Sequence, residues 1–227
     1  MKRIFHWAID YAYMANGWRL MYQYRKPPKH YLGHIIEGKN PVILIPGITN
    51  KWGFMKHLGD KVSLAGHPVY IVPELGHNMR LVTDAAKLVE IIISDNNLKN
   101  IVIITHSKGG LIAKYLLNHS KYSSDISKII AIAAPFNGSH LVKYLPGKPF
   151  KELRPDSNIV QLLNSKTAND KKIFTISPSF DNHVWHTNKG HLESAKQNIT
   201  MDTKGHHKVL FDSQVIEKVL ELIQSSN

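Results

Sequence analysis

The stretch Thr105-His106-Ser107-Lys108-Gly109-Gly110 puts a serine at the tip of a tight turn. A β-branched and aliphatic run, residues 101–105, leads into it, and a helical pattern, residues 110–117, leaves it at once. A serine held this way exposes its Oγ above a sheet. The helix behind it aims backbone N–H groups and the positive end of its dipole at the same place. Such nucleophile turns read Gly-x-Ser-x-Gly, because the sharp bend leaves little room for side chains two residues either side. Gly109 fills the second small position, whereas Thr105 stands where the first glycine is expected, so local packing must make space for it. Ser107 is the candidate nucleophile.

A serine hydroxyl needs a base, and the base needs an orienting acid. Two adjacent histidines, His206 and His207, follow Gly205 just before the last helical stretch, and either could face the serine. For the acid, Asp181 lies just beyond an apolar run at residues 173–177, with Asp156 and Glu74 as rivals. The tetrahedral oxyanion requires two backbone donors. The N–H of Lys108, directly after the nucleophile, is one. The N–H of Ile48 is the other choice, because Gly47 before it lets the backbone come close to a substrate.

Other residue patterns carry less. His183, His186 and His191 lie close together, and His183 with His186 has a spacing that could hold a metal, but zinc sites call for a third protein ligand at a defined spacing. No metal is expected. There is no glycine-rich phosphate loop and no dinucleotide fingerprint, so no cofactor is implied.

The elements that must position these groups read as follows. Apolar runs at 42–45, 69–72, 101–105, 129–133 and 173–177, with a weaker one at 199–201, predict strands, and residues 31–36 suggest an outer strand. Helical periodicity occupies 54–65, 81–93, 110–117 and 213–223. Strands apolar throughout and alternating with helices predict an α/β fold, with a mostly parallel central sheet covered on both faces. In such sheets ligands gather at the carboxyl ends of the strands. The connection at 136–164 is long enough to be a lid. Phe136 and Leu141 within it are candidate substrate-binding residues.

Four pieces occur in a telling order: Leu44-Ile45-Pro46-Gly47-Ile48, His106-Ser107-Lys108-Gly109-Gly110, Ile132-Ala133-Ala134-Pro135-Phe136-Asn137-Gly138 and Gly205-His206-His207-Lys208-Val209-Leu210. Through them the chain resembles the α/β-hydrolases, in particular the small bacterial lipases and esterases and the related inositol-deacylase-like hydrolases, over residues 41–222. The resemblance implies an α/β-hydrolase fold, a Ser107 nucleophile, an Asp181 acid and oxyanion donors at Ile48 and Lys108. It also implies His206 as base, since that pattern places the base right after the glycine. A carboxylic, lipid or acyl ester is the implied substrate. Thioester cleavage or acyl transfer would use the same parts.

Composition bounds the rest. The 227 residues suit one domain, residues 31–227, preceded by an N-terminal helical segment, residues 1–30. The formal charge of +12 favours anionic partners, yet Lys and Arg are spread along the chain, and no zinc-finger, basic-zipper or RNA-binding signature accompanies them. Nucleic-acid binding is not expected. The N-terminal apolar run is broken by Asp10, which argues against a signal peptide and for a cytoplasmic protein. The same segment holds seven aromatics from Phe5 to Tyr24, followed by Arg25, Lys26 and Lys29. Such a helix suits peripheral membrane contact. Alternatively it packs on the domain with those rings as core. A membrane-surface binding protein without turnover is therefore the rival in a different class.

Overall fold

The computed structural model describes residues 2–185 and 190–225. Six strands form one sheet: β1 (Val42–Ile45), β2 (Val69–Ile71), β3 (Ile101–His106), β4 (Ile126–Ile132), β5 (Ile173–Phe180) and β6 (Gln197–Lys204). Their spatial order is β2-β1-β3-β4-β5-β6, and every neighbouring pair is parallel. The helices are α1 (Lys2–Gln23), α2 (His30–Gly33), α3 (Lys56–Leu64), α4 (Val82–Asp95), α5 (Gly109–His119), α6 (Lys148–Lys151), α7 (Asn158–Ser165) and α8 (Ser213–Gln224).

The continuous apolar runs have a direct cause. Alternate side chains of one strand enter two different cores, so no position is left for a polar residue. Ile43, Ile45, Ile101 and Ile103 pack with α4 and α5 on one face. Val42, Leu44, Val102 and Ile104 pack with α3 and α8 on the other. The edge strand β6 is the exception. It pairs only with β5, its first six residues are exposed or half-buried, and its sequence is correspondingly polar. It runs from Gln197 to Lys204, well beyond the three residues, two of them apolar, that announced it.

Residues 31–36 do not form a strand. Pro28 starts a helical turn, its carbonyl accepting from the Tyr31 N–H at 3.1 Å, and α2 follows. Tyr31 is fully buried, with its ring edge-on to Trp52, while Leu32, Ile35 and Ile36 stay about half exposed. One anchored ring, rather than an alternating face, is what these residues supply, and β2 remains the sheet edge.

Helix α1 lies on the domain, with its rings at the margin of the contact rather than in the core. Its fully buried residues are Asp10, Gly17 and Met21, and the seven aromatics are exposed or half-buried. Among the described residues no helix is long and apolar enough to cross a membrane.

Candidate active site

Ser107 follows the last residue of β3 and stands two residues before α5. Its φ is 51°, in the left-handed region that costs a non-glycine residue about 1–3 kcal/mol unless its surroundings enforce it. They do. Its N–H donates to the Ile132 carbonyl at 2.9 Å, and α5 is pressed against the sheet behind it. A Cβ on Gly109 would lie 2.4 Å from the Ile45 carbonyl oxygen, and one on Gly110 would lie 2.4 Å from Ala134 Cβ. A Cβ on Gly110 would be in ordinary contact with Thr105 Oγ1 at 3.6 Å, so it is Ala134 and not the threonine that demands this glycine.

His206 lies on the turn after β6. Its Nδ1 is 3.0 Å from Asp181 Oδ2, and both side chains are buried. The other Asp181 oxygen accepts the N–H groups of His183 at 2.7 Å and Val184 at 2.8 Å. Asn182 Oδ1 accepts the His206 N–H at 3.0 Å, which ties the loop of Asp181 to that of His206. Burial pushes the Asp181 carboxyl up, but the adjoining His206 and these hydrogen bonds outweigh it and hold the group below its ordinary range. Burial likewise pushes His206 down, and Asp181 outweighs it, so the imidazole stays above its usual 6.5.

Ser107, His206 and His207 line one cavity of ≈ 350 Å³. No hydrogen bond joins Ser107 Oγ to a histidine among the described residues; such contacts commonly tighten only when a substrate is bound. The loop after β1 forms another part of the wall. A Cβ on Gly47 would lie 3.1 Å from Ser107 Cβ, so the backbone there runs as close to the nucleophile as a chain can. Asn78 Nδ2 donates to the Pro46 carbonyl at 2.7 Å and steadies that loop. Ile48 lines the cavity. The Lys108 side chain is fully buried elsewhere, its ammonium donating to the carbonyls of Asn78 and Arg80. Burial lowers that ammonium to about 8.

The insertion at 136–164 walls the cavity through Leu141, Val142, Leu145, Phe150 and Leu153. Leu141 therefore lines the cavity. Phe136 does not. It is fully buried beside the elbow helix, with Lys114 Nζ 6.0 Å from its ring centroid, and it belongs to the core. The rival acids Glu74 and Asp156 are both exposed, Asp156 beside Lys151 and Arg154 in a separate hollow. His186 lies outside the described residues, and His191 contacts Thr200 on the edge strand.

The site also gathers residues that their spacing in the sequence did not bring to it. Met14 and Trp18 of α1 line the cavity. His183 lies 5.0 Å from His206 and 4.7 Å from His207, ring to ring. Above all, His207 has its own carboxylate: Nδ1 is 2.9 Å from Asp10 Oδ2 of α1. A lone charge between Ile4 and Trp18 was the available clue, since a buried charge requires a partner. Asp10, His183 and His207 approach closely enough to suggest metal ligands. The Asp10 carboxylate, however, already accepts from three N–H groups, which is how a hydrogen-bonded anchor is built.

The fold has many relatives of known structure. The mature lipase BlEst2 of Bacillus licheniformis superposes with a TM-score of 0.69 at 12% identity, over 85% of this chain and 95% of that one. A hydrolase of Oleispira antarctica gives 0.63 at 16% identity, over 85% and 93%. Naproxen esterase of Bacillus subtilis gives 0.56 at 11%, over 84% and 85%. At these identities the likeness establishes the α/β-hydrolase fold and nothing finer. No curated protein matches the chain in sequence. The pattern of the PGAP1-like alpha/beta domain does match it over residues 71–201, more than half its length and the part that carries both the elbow and the acid loop, so the chain belongs to that family.

Proposed function

We propose that the protein is a serine hydrolase that cleaves carboxylic esters, of lipid or other acyl type, through an acyl-enzyme. The observation that carries this reading is the buried Asp181–His206 pair, whose histidine lines the same cavity as a serine held at φ 51°. Asp181 accepts the Nδ1–H of His206 and so leaves Nε2 free to take the Ser107 proton. The Ser107 oxygen then bonds to the ester carbon, and the negative charge passes to the carbonyl oxygen, where the N–H groups of Ile48 and Lys108 receive it. Collapse of this intermediate breaks the bond to the alcohol, which leaves with the proton from His206. Water, deprotonated by the same histidine, releases the acid and restores Ser107.

The acyl group belongs in the apolar part of the cavity, between Met14 and Trp18 of α1 and Leu141, Val142 and Leu145 of the insertion. Trp18 and Leu145 are each 39% exposed, and Tyr144 is 80% exposed next to them. This rim suits an esterified lipid presented from a surface. The lipase and esterase names of the structural relatives agree with the reading.

Hydrolysis of p-nitrophenyl esters of rising acyl length tests it. The parent protein is expected to turn over and Ser107→Ala to lose about 10³-fold or more with its melting temperature kept. Turnover unaffected by Ser107→Ala would refute the assigned nucleophile. A folded parent that cleaves no ester would turn the reading towards thioesters or acyl transfer.

A further inference from the structure

Asp10 is fully buried halfway along α1, and its partners all lie in the loop that carries the base. Oδ1 accepts the N–H of His207 at 2.7 Å and of Lys208 at 2.9 Å, while Oδ2 faces His207 Nδ1 at 2.9 Å. Three donors on a dry carboxylate are the compensation that burying such a charge demands. The approach is reserved for it. A Cβ on Gly205 would lie 2.3 Å from Asp10 Oδ1, and Gly205 has φ +129°, where a side chain would be strained.

The rest of α1 is docked against the same machinery. A Cβ on Gly17 would meet the Phe54 ring at 2.4 Å. That ring stacks on His106, next to the nucleophile, and lies 5.7 Å from His207. Tyr11 meets His183 edge-on at 5.9 Å, and Trp7 meets Trp185 at 6.2 Å, so the helix also holds the acid loop.

We infer that Asp10 is a positioning residue for the base: through His207 and the loop 205–208 it fixes where His206 stands, and so makes α1 part of the active site. This rests on the reading of His206 as the base. As a carboxylate, Asp10 accepts Nδ1–H from His207 and thereby sets that ring's tautomer. It also adds a second negative charge near the imidazolium that His206 must become. The ionisable groups around His206 are Asp181 and His183 from the acid loop, His207 from its own loop, His106 from β3 and Asp10 from α1. Asp181 and Asp10 both favour the protonated ring.

Asp10→Asn tests the inference. The amide oxygen can keep the two backbone bonds, but its NH₂ faces His207 Nδ1, forces the other tautomer and removes the charge. With p-nitrophenyl butyrate, kcat/KM is expected to fall by up to about 10²-fold, the cost of misplacing a catalytic group by roughly 1 Å. The acid limb of the pH–rate profile should move to lower pH, which a loss of folded protein alone would not do. An unchanged rate and an unmoved acid limb would overturn the inference. So would a rate loss matched by the loss of folded protein with the limb in place. If Asp10→Asn does not fold, Gly205→Ala, which pushes the carboxylate off the loop, is expected to give the same rate loss and a limb moved the same way, and an unmoved limb overturns the inference. Should the parent cleave no ester, the proposed function fails separately. The NMR titration of His206, assigned with His206→Gln, then decides between a lowered pKa in Asp10→Asn, as inferred, and none.

Discussion

Two neighbouring histidines meet two buried carboxylates in almost the same geometry, Nδ1 to oxygen at 3.0 Å for His206 and 2.9 Å for His207. Their acids come from different kinds of place. Asp181 is 25 residues before its histidine, at the end of a strand that pairs with the strand leading to the base. Asp10 is 197 residues from its partner and reaches it only because α1 docks across the site. The first pair is placed by two adjacent strands of the sheet. The second is placed by side-chain fit between a helix and a loop. Similar local chemistry therefore says little about role, and the origin of each acid says more.

The contrast should be sharpest in the two histidines. His206→Ala is expected to lose about 10⁴–10⁶ in kcat, as removal of a catalytic histidine does, whereas His207→Ala should lose no more than about 10². Kinetics with p-nitrophenyl butyrate measure both, and equal or reversed losses would erase the distinction drawn between the two pairs.

Acid should act on the shared histidine cluster before it acts on either carboxylate. Burial first, then the neighbouring His206 and His207, hold His183 down to about 3, and burial keeps His106 well below 6.5. The unfolded chain protonates these rings from about pH 6.5 downwards and the native chain does not, so stability falls as pH drops from there towards 3. Asp181 and Asp10, both held below their ordinary range, contribute stability above about pH 4 that is lost at still lower pH. His206, held high, acts oppositely and loses its contribution as pH rises through its native pKa. Urea midpoints between pH 7.5 and 4.5 should fall, and His183→Phe should flatten that fall. An unchanged slope in His183→Phe would mean that this ring is not kept neutral by burial.

The smallest effect concerns the cavity wall. Trp18→Ala on α1 and Leu141→Ala on the insertion remove apolar contact from two separate elements that line the cavity. Each should raise KM for a long-chain ester by roughly fivefold, about 1 kcal/mol of lost contact, and leave a short-chain ester almost untouched. A change confined to one of the two would show which side grips the chain.

How far the sequence could be read follows the range of the forces at work. The strands were legible because burial on two faces leaves an uninterrupted apolar run, and β6 was half legible because one of its edges is free. The elbow was legible because its demands fall within ten residues: a strand, a serine, two glycines that no side chain could replace. That Asp181 would meet His206 could be anticipated because strand ends and loops sit at predictable places along the chain. Residues 31–36 were misread because a buried ring and a run of aliphatics look alike in a strand and in a one-turn helix. Phe136 and Leu141, both apolar and five residues apart, could not be sorted into core and cavity wall. Asp10 is the plainest case. The sequence by itself determined that a charge interrupts an apolar helix and must find partners. Only the tertiary structure decided that those partners are His207 and Lys208, because the pairing of a buried charge depends on where a helix docks, and no local spacing encodes that.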